Sequence, residues 1–314
     1  MLQYLIVILE NQAPSFCHYD SVGHDNILID LNKLKDVVFF AQKENLSVNF
    51  IIGENTLPPE YEEVMGSVRH ISLVSINNKK ANEQNICILD SSVNTAKLKE
   101  QKYDNYILRL KKTDLPNLSN IVIALGDSYT RLNVINIDID KYNEKDFKEY
   151  KNQIEKINNY ILSQINSPSI PQINTLTDRI LLNEMHNCNA GVTHLTVAPN
   201  GKFYICPAFY YENVNDSVGD LYQGLFIPNK HLYTLEYAPI CKQCDAYQCK
   251  RCVYLNRKTT LEVNTPSREQ CLLSHIEREG SSVFLKNGGK SIPSFSTIEI
   301  KDLNYCDPFE LFEQ

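Results

Sequence analysis

Short apolar runs alternate with amphipathic stretches through about the first 140 residues of the chain. The runs are rich in Ile, Val and Leu at consecutive positions, which is typical of a parallel sheet covered by helices on both faces. The stretches between them have helical spacing, and a Pro-Pro pair suits one helix start. The predicted strands are Leu2–Leu9, Val48–Ile52, His70–Ile76, Ile86–Leu89, Tyr106–Leu110, Ile121–Leu125 and Leu132–Ile137, and the predicted helices are Leu31–Asn45, Pro59–Met65 and Val93–Lys102.

Repeated βα units of this kind predict an α/β fold, either an open sheet or a partial βα barrel of the TIM type. A long polar helix is predicted over 144–165, and a Pro- and Ser-containing linker follows over 166–171. A further helix is predicted over Leu176–His186. We therefore expect an α/β domain over 1–170, a small cysteine-rich α+β domain over 171–285, and a tail over 286–314.

Charge and hydropathy exclude some classes of partner. The 314 residues carry 38 acidic and 31 basic side chains, and no basic run is present, so we expect no nucleic-acid partner. No apolar run approaches the roughly 18 residues that cross a membrane. The N-terminus lacks the positive region and cleavage site of a signal peptide. These features predict a cytoplasmic protein without a membrane partner.

Seven of the ten cysteines fall within residues 188–271. A cytosolic chain gains little from disulfides, so clustering of this kind indicates metal ligation. Cys87, inside an apolar run, is expected to be a buried packing residue instead. The seven candidate metal ligands are Cys188, Cys206, Cys241, Cys244, Cys249, Cys252 and Cys271.

Local patterns place some of these ligands. In the run from Cys241 to Cys252, two residues lie between Cys241 and Cys244, and two lie between Cys249 and Cys252. A tight turn can therefore direct both thiolates of such a pair at one centre. A predicted β-hairpin with Pro-Asn-Gly at its turn carries Cys206 at the end of its second strand. One four-cysteine Zn²⁺ site would explain the central run but leaves three cysteines unassigned, whereas two iron–sulfur clusters use all seven. Both metals stay open on spacing alone.

The order of these elements resembles the SPASM domain, the auxiliary-cluster extension of radical S-adenosylmethionine enzymes that modify ribosomal peptides. The phrases that carry the resemblance are Asn200-Gly-Lys-Phe-Tyr-Ile-Cys-Pro, Val218-Gly-Asp-Leu and Cys271-Leu-Leu-Ser-His-Ile-Glu-Arg-Glu. It covers about 100 residues. The last two gaps of the central run have four and two residues here, where five and three are usual.

The resemblance implies two 4Fe–4S clusters with interleaved ligands. By position, Cys188, Cys206 and Cys252 would hold the first cluster. His194 lies near the place of an eighth cysteine in some members, so it could be the fourth ligand, or that iron could be open. His186 is an alternative, and either histidine could instead be a hydrogen-bonded structural residue. The ligands implied for the second cluster are Cys241, Cys244, Cys249 and Cys271.

The loop after the first predicted strand lacks one family feature. Radical S-adenosylmethionine enzymes hold their catalytic cluster by a Cys-x3-Cys-x2-Cys motif in that loop, and only Cys17 stands there in this chain. The resemblance therefore implies a degenerate radical-enzyme barrel that does not cleave S-adenosylmethionine in the usual way. The loop still offers a nucleophile, a base and acids as candidate catalytic residues; alternatively, it only completes the strand and packs. These candidates are Cys17, His18, Tyr19 and Asp20, with His24 nearby.

More narrowly, the whole chain resembles the CXXX repeat peptide maturase family, through Phe16-Cys-His-Tyr and Cys206-Pro-Ala-Phe-Tyr-Tyr. The resemblance implies maturation of a cysteine-repeat ribosomal peptide, with the clusters binding or activating peptide thiolates, since metal coordination lowers a thiol's pKa. A second hypothesis is a non-catalytic protein that binds the precursor peptide for a separate modifying enzyme. A third is a zinc-stabilised binding module.

Overall fold

A computed structural model describes residues 2–21, 25–78, 80, 82–93, 98, 102–126, 129–165, 170–183, 185–244 and 249–301. Its strands are β1 (Tyr4–Ile8), β2 (Ser47–Ile52), β3 (His70–Ser75), β4 (Ile86–Asp90), β5 (Asn105–Leu110), β6 (Arg131–Asn136), β7 (Gln172–Ile173), β8 (His186–Asn187), β9 (His194–Val197), β10 (Lys202–Tyr204), β11 (Gly219–Asp220), β12 (Gly224–Leu225) and β13 (Lys250–Arg251). Its α-helices are α1 (Leu31–Lys43), α2 (Pro59–Gly66), α3 (Leu118–Leu125), α4 (Glu144–Ser163), α5 (Thr177–Ile180), α6 (Pro207–Glu212), α7 (Val253–Thr260) and α8 (Arg268–Lys286).

Six of the seven predicted strands are confirmed as β1 to β6, but the strand predicted over Ile121–Leu125 is wrong. That segment belongs to α3, in which Leu118, Ile121, Val122 and Leu125 are buried while Ile123 is 43% exposed. Burial at positions i, i+3, i+4 and i+7 is the period of one helical face. The helical period could not be recognised in the sequence, because a fully apolar segment fits a buried strand or a buried helix equally well.

The predicted helices are confirmed as α1, α2 and α4, and one further prediction is mostly wrong. The helix predicted over Leu176–His186 is helical only in α5, after which the chain turns into the short strand β8. Strand β8 pairs in parallel with β13, and this tertiary pairing competes with helix propensity. Most of the predicted helix 93–102 lies outside the described residues.

The chain divides into two units that are discontinuous in sequence. Unit 1 comprises Met1–Leu89 and Asn189–Thr234, and unit 2 comprises Asp90–Cys188 and Leu235–Gln314. In unit 1 the strands follow the order β12-β11-β10-β9-β1-β2-β3-β4. Strands β9, β1, β2, β3 and β4 are parallel neighbours, and β9 to β12 are antiparallel. The expected parallel-dominated α/β sheet is therefore present, while its closure into a barrel stays a prediction.

The predicted hairpin is confirmed as β9 and β10 of unit 1. Phe203 pairs with Val197 and Tyr204 with Thr196. At the turn Gly201 has φ +83°, a left-handed conformation that glycine adopts without strain. The hairpin leads directly to Cys206, the residue before α6.

Unit 2 contains the parallel strands β5, β6 and β7, and helix α8 packs against α4. A buried ion pair ties α8 to α5, because the guanidinium of Arg179 lies 2.6 Å from the carboxylate of Glu277. The same carboxylate accepts a hydrogen bond of 2.7 Å from the hydroxyl of Tyr150 on α4. Breaking a buried ion pair leaves a charge without compensation, which strongly destabilises the fold. This network therefore holds α8 firmly in place. Within the described part of the chain, every helix is too short or too polar to cross a bilayer.

Candidate metal centre

Four cysteines of unit 2 line one small cavity. They are Cys241, Cys244, Cys249 and Cys271, the set implied by resemblance for the second cluster; we name them the four-cysteine centre. Among the described residues, the rest of the lining mixes apolar and polar side chains and includes no carboxylate. These other lining residues are Met185, Ile240, Arg251, Pro266, Gln270, Ser274 and His275.

The first two thiols are presented by a tight turn. Residues Cys241–Gln243 form one turn of 3₁₀ helix, and the Cys244 N–H donates to the Cys241 carbonyl at 3.2 Å. This is the geometry expected of two cysteines separated by two residues. Both pack with Met185 and Ala238 in a small apolar cluster, so the thiols also serve as hydrophobic side chains.

The other two thiols come from β13 and α8. Cys249 precedes β13, and Cys271 lies in the first turn of α8, whose N-cap residue Ser267 accepts from the Gln270 N–H at 3.4 Å. The N-terminus of a 19-residue helix favours negative charge, including a thiolate. One turn further along α8, the hydroxyl of Ser274 lies 3.2 Å from the sulfur of Cys249.

Burial opposes thiolate formation at this centre, and nearby donors favour it. Burial, and then the charge of Cys249, raise the pKa of Cys241 to about 11, while the charge and a hydrogen bond of Arg251 act in the opposite direction. Burial also raises the pKa of Cys249, opposed by its bond to Ser274 and by the charge of Arg179. A metal ion or cluster would replace the thiol protons and supply the positive charge that buried thiolates need.

The residue types of the four-cysteine centre fit two kinds of metal group. Thiolates are ligands of tetrahedral Zn²⁺ and of iron–sulfur clusters alike. A closed structural zinc site and a 4Fe–4S cluster can each take four cysteine ligands. The donor set therefore fits either group.

The candidate ligands of the first cluster come from both units of the chain, Cys206 from unit 1 and the other two cysteines from unit 2. Cys188 is exposed, whereas Cys206 and Cys252 are half-buried and directly precede α6 and α7. The hairpin register places Cys206 and His194 at the same end of the hairpin. The grouping of these residues into one centre stays a prediction, and the side chain of His186 lies outside the described part.

His194 is buried in the sheet of unit 1. Its ring stacks on that of Tyr4 with centroids 4.7 Å apart, and within the described structure its Nδ1 atom has no hydrogen-bond partner. Burial lowers its pKa to about 4, so the imidazole is neutral near pH 7. A neutral imidazole has the lone pair that a metal ligand needs, and the stack on Tyr4 equally suits a structural role.

The loop after β1, residues 10–21, is held by unit 1 itself; we name it the Cys17 loop. Ser21 N–H donates to the hydroxyl of Ser15 at 2.9 Å. The ring of Tyr19 stacks on that of Tyr211 in α6 with centroids 5.1 Å apart, and the hydroxyl of Tyr210 donates to the Asn11 side chain at 2.6 Å. The loop is therefore anchored on the helix that begins after the hairpin.

The candidate residues in this loop differ in exposure. Cys17 and His18 are half-buried, Tyr19 is buried and Asp20 is exposed. The sulfur of Cys17 and a ring nitrogen of His18 lie within 4.8 Å of each other, close enough for both to act on one group, as a Cys–His pair or as two metal ligands. His24 lies outside the described residues.

Sequence reasoning missed the polar residues that surround the thiols. Arg251 is 3% exposed and Arg179 fully buried, although both are charged residue types that are normally at the surface. Ser274 is three residues after Cys271, so a helical reading of that phrase could have placed it on the same face. No local pattern distinguishes the two arginines from surface ones.

Comparisons with known proteins support the fold. No protein-family model matches the chain, and no curated protein matches it. Solved structures of anSMEcpe do match: native anSMEcpe with bound AdoMet has 14% identity and a TM-score of 0.61, covering 92% of this chain and all of that one. Native anSMEcpe with bound AdoMet and Cp18Cys peptide has 15% identity and a TM-score of 0.64, covering 92% of this chain and 99% of that one. At these identities the likeness shows a shared fold.

Proposed function

We propose that this protein takes part in the post-translational maturation of a cysteine-repeat ribosomal peptide, with two 4Fe–4S clusters that bind or activate peptide thiolates. One observation carries the proposal: the four-cysteine centre brings Cys271 to the same cavity as cysteines about 20 to 30 residues earlier in the chain. A cavity lined by four thiols is best explained by metal ligation, because thiolates are strong ligands for zinc and for iron–sulfur clusters.

Two clusters would use all seven clustered cysteines, whereas one zinc site would use only four of them, and this supports a cluster over zinc in the four-cysteine centre. The first cluster, assigned to Cys188, Cys206 and Cys252 with His194 or an open iron as the fourth position, belongs to the same proposal. Three cysteine ligands would leave a coordination position for a peptide thiolate, whereas four cysteines close the second cluster. The first cluster is therefore the better candidate for binding peptide.

The shared fold supports the peptide part of the proposal. Structures of anSMEcpe hold AdoMet together with peptides named Cp18Cys and Kp18Cys, and the present chain spans nearly the whole length of that protein. The Cys17 loop lies at the carboxyl end of a parallel strand, the edge at which α/β folds collect their sites. In the proposed reaction, Cys17 is the nucleophile or thiol ligand and His18 its base, with Tyr19 and Asp20 beside them.

One observation favours the alternative, a non-catalytic partner that binds the precursor peptide for a separate modifying enzyme. The Cys17 loop has one cysteine where a radical-type cluster needs three. Without that cluster, the α/β domain would remain as a binding scaffold. Clusters, or a structural zinc ion, would then stabilise the fold or relay electrons.

The first test is anaerobic purification of the full chain, followed by iron, sulfide and zinc analysis and a visible spectrum. We expect about eight irons per chain, as for two 4Fe–4S clusters. Zinc in a colourless protein would contradict the cluster assignment and leave a binding module as the better account.

The second test separates the enzyme from the partner. The iron-loaded protein is incubated with a cysteine-repeat peptide and S-adenosylmethionine, and the peptide mass is measured. A control sample contains Cys17→Ala protein. A mass change with the native protein alone, lost in the variant, supports the enzyme. Tight binding without any mass change supports the partner.

A further inference from the structure

The polar side chains around the four-cysteine centre are arranged as donors to its sulfurs. The hydroxyl of Ser274 accepts a hydrogen bond from the thiol of Cys249 at 3.2 Å. Once Cys249 is a thiolate it has no proton to give, so the same contact requires the serine hydroxyl to donate. Ser274 is 9% exposed, which limits competition from water for this bond.

A second donor reaches the centre from β13. Arg251 is 3% exposed and lines the cavity, and its charge and a hydrogen bond favour a lower pKa of the Cys241 thiol. A guanidinium keeps its charge under all ordinary conditions. Because Arg251 lines the cavity together with the four cysteines, its positive charge lies beside the thiols.

The contacts of Arg179 differ from those of Arg251. Arg179 is also buried, and the carboxylate of Glu277 balances its charge at 2.6 Å. Its Nη1 atom also donates to the Ser274 carbonyl at 3.4 Å. Arg179 thus helps to hold the backbone of Ser274, and its charge favours the thiolate of Cys249, as the charge of Arg251 favours that of Cys241.

Together these contacts would favour added negative charge on a bound cluster. Reduction adds one electron, and no bond forms or breaks. Hydrogen bonds to cysteine sulfurs and a nearby buried cation stabilise the more negative state, which raises the reduction potential. A low-dielectric surrounding strengthens both effects.

We propose that Ser274 and Arg251 are positioning residues that raise the reduction potential of the cluster in the four-cysteine centre, so that it can accept an electron more readily. The inference rests on the proposed function only in requiring an iron–sulfur cluster at this centre. It does not depend on the peptide or on the reaction.

The test is a redox titration of the full iron-loaded chain with dithionite as reductant, followed by electron paramagnetic resonance. We expect Ser274→Ala to keep its iron and sulfide but to disfavour reduction by up to tenfold, a shift of about 59 mV to lower potential for a one-electron couple. Ser274→Thr, which keeps a hydroxyl, should restore most of the native value. Arg251→Gln should shift the potential in the same direction as Ser274→Ala.

Ser281→Ala is the matched control. Ser281 is also buried on α8, but its hydroxyl donates to the Leu176 carbonyl at 2.8 Å instead of contacting a cysteine. This variant should leave the potential unchanged even if it lowers stability. An exchangeable-proton signal near the reduced cluster, present in native protein and absent in Ser274→Ala, provides a second measurement.

The outcomes separate the two proposals. If the native protein holds iron but Ser274→Ala and Arg251→Gln both leave its reduction potential unchanged, the present inference is overturned and the proposed function stays intact. Zinc in native protein would overturn the proposed cluster, and this inference with it.

Discussion

The four-cysteine centre of unit 2 and the Cys17 loop of unit 1 hold their thiols in different ways. In the centre, four sulfurs face one cavity beside the buried guanidinium of Arg251. In the loop, the position of Cys17 depends on ordinary contacts: the stack of Tyr19 on Tyr211 and the hydrogen bond from Tyr210 to Asn11. The difference teaches that the Cys17 loop is held by contacts of its own, and it predicts that the centre depends more strongly on a metal than the loop does.

This comparison predicts different responses to metal loss. A metal bound by the four thiols would add its binding energy to the stability of unit 2, and that energy would be lost with the metal. Aromatic stacking and neutral hydrogen bonds keep their energy whether or not a metal is present. The predictions below test this contrast, from the largest expected change in the free energy of unfolding to the smallest.

The largest change is expected from Cys244→Ser, which should lose the cluster of the four-cysteine centre. Because metal-binding energy becomes folding energy, the free energy of unfolding of unit 2 should fall by on the order of 5 to 10 kcal/mol. Iron analysis and denaturant unfolding measure both effects. Full iron content in this variant would show that Cys244 is not a ligand.

Cys87→Ala is the control for that experiment. Cys87 is fully buried on β4, and burial raises its pKa to about 12, which confirms the predicted packing role. Its loss should cost about 1 to 2 kcal/mol through the cavity that it leaves. Iron content should stay at the native value.

The next largest change is expected from Arg179→Met. It leaves the carboxylate of Glu277 without its 2.6 Å partner in a buried position, so unit 2 should lose about 3 to 5 kcal/mol. The control is Lys151→Met, which removes the exposed ion pair between Lys151 and Glu279. Glu279 lies on α8, the helix that also carries Glu277, and the loss of this exposed pair should cost at most about 1 kcal/mol. Equal losses in the two variants would contradict the buried network.

The fold could be predicted from the sequence where burial pattern and residue type agreed. Strands β1, β2 and β4 are mainly runs of β-branched and other apolar residues, which favour a strand, and β6 alternates buried with less buried positions. Helix α3 was missed because its exposed face also carries an apolar residue, Ile123. Helix α5 was overestimated because the pairing of β8 with β13 joins residues more than 60 positions apart, which local patterns cannot reveal.

The cysteines that line the candidate site could be predicted from the sequence, and the polar residues around them could not. Cysteine clustering and the SPASM resemblance identified the four cysteines that the structure brings to one cavity. The roles of Arg251 and Arg179 depend on burial, and a charged residue carries no sequence signal that it will be buried. Ser274 acts through a contact with Cys249, 25 residues away, which only the tertiary fold creates.

A smaller change is expected from pH at His194 in unit 1. Burial lowers the pKa of this group to about 4, below its ordinary value of 6.5. As the pH falls, the unfolded chain therefore binds the proton at a higher pH than the folded chain does. Stability is lost as pH falls from about 6.5 towards 4. Between about pH 7 and pH 5.5, native protein should lose about 1 kcal/mol more than His194→Gln. Parallel unfolding curves at the two pH values measure this difference, and identical losses would show that the imidazole can take a proton in the fold.

The smallest change in stability is expected from Cys17→Ala, and it gives the sharpest contrast with the centre. The side chain is half-buried, and the loop keeps the Tyr19–Tyr211 stack and the Ser15–Ser21 hydrogen bonds without it. The free energy of unfolding should therefore change by less than about 1 kcal/mol. The iron of the four-cysteine centre should also be retained, because Cys17 is not among its ligands, whereas any peptide modification should be lost. Measuring stability, iron content and peptide mass on one preparation distinguishes a chemical role of Cys17 from a packing role. Unchanged peptide modification in the variant would show that Cys17 only packs. A loss of stability as large as that of Cys244→Ser would show that unit 1 also needs its thiol for folding.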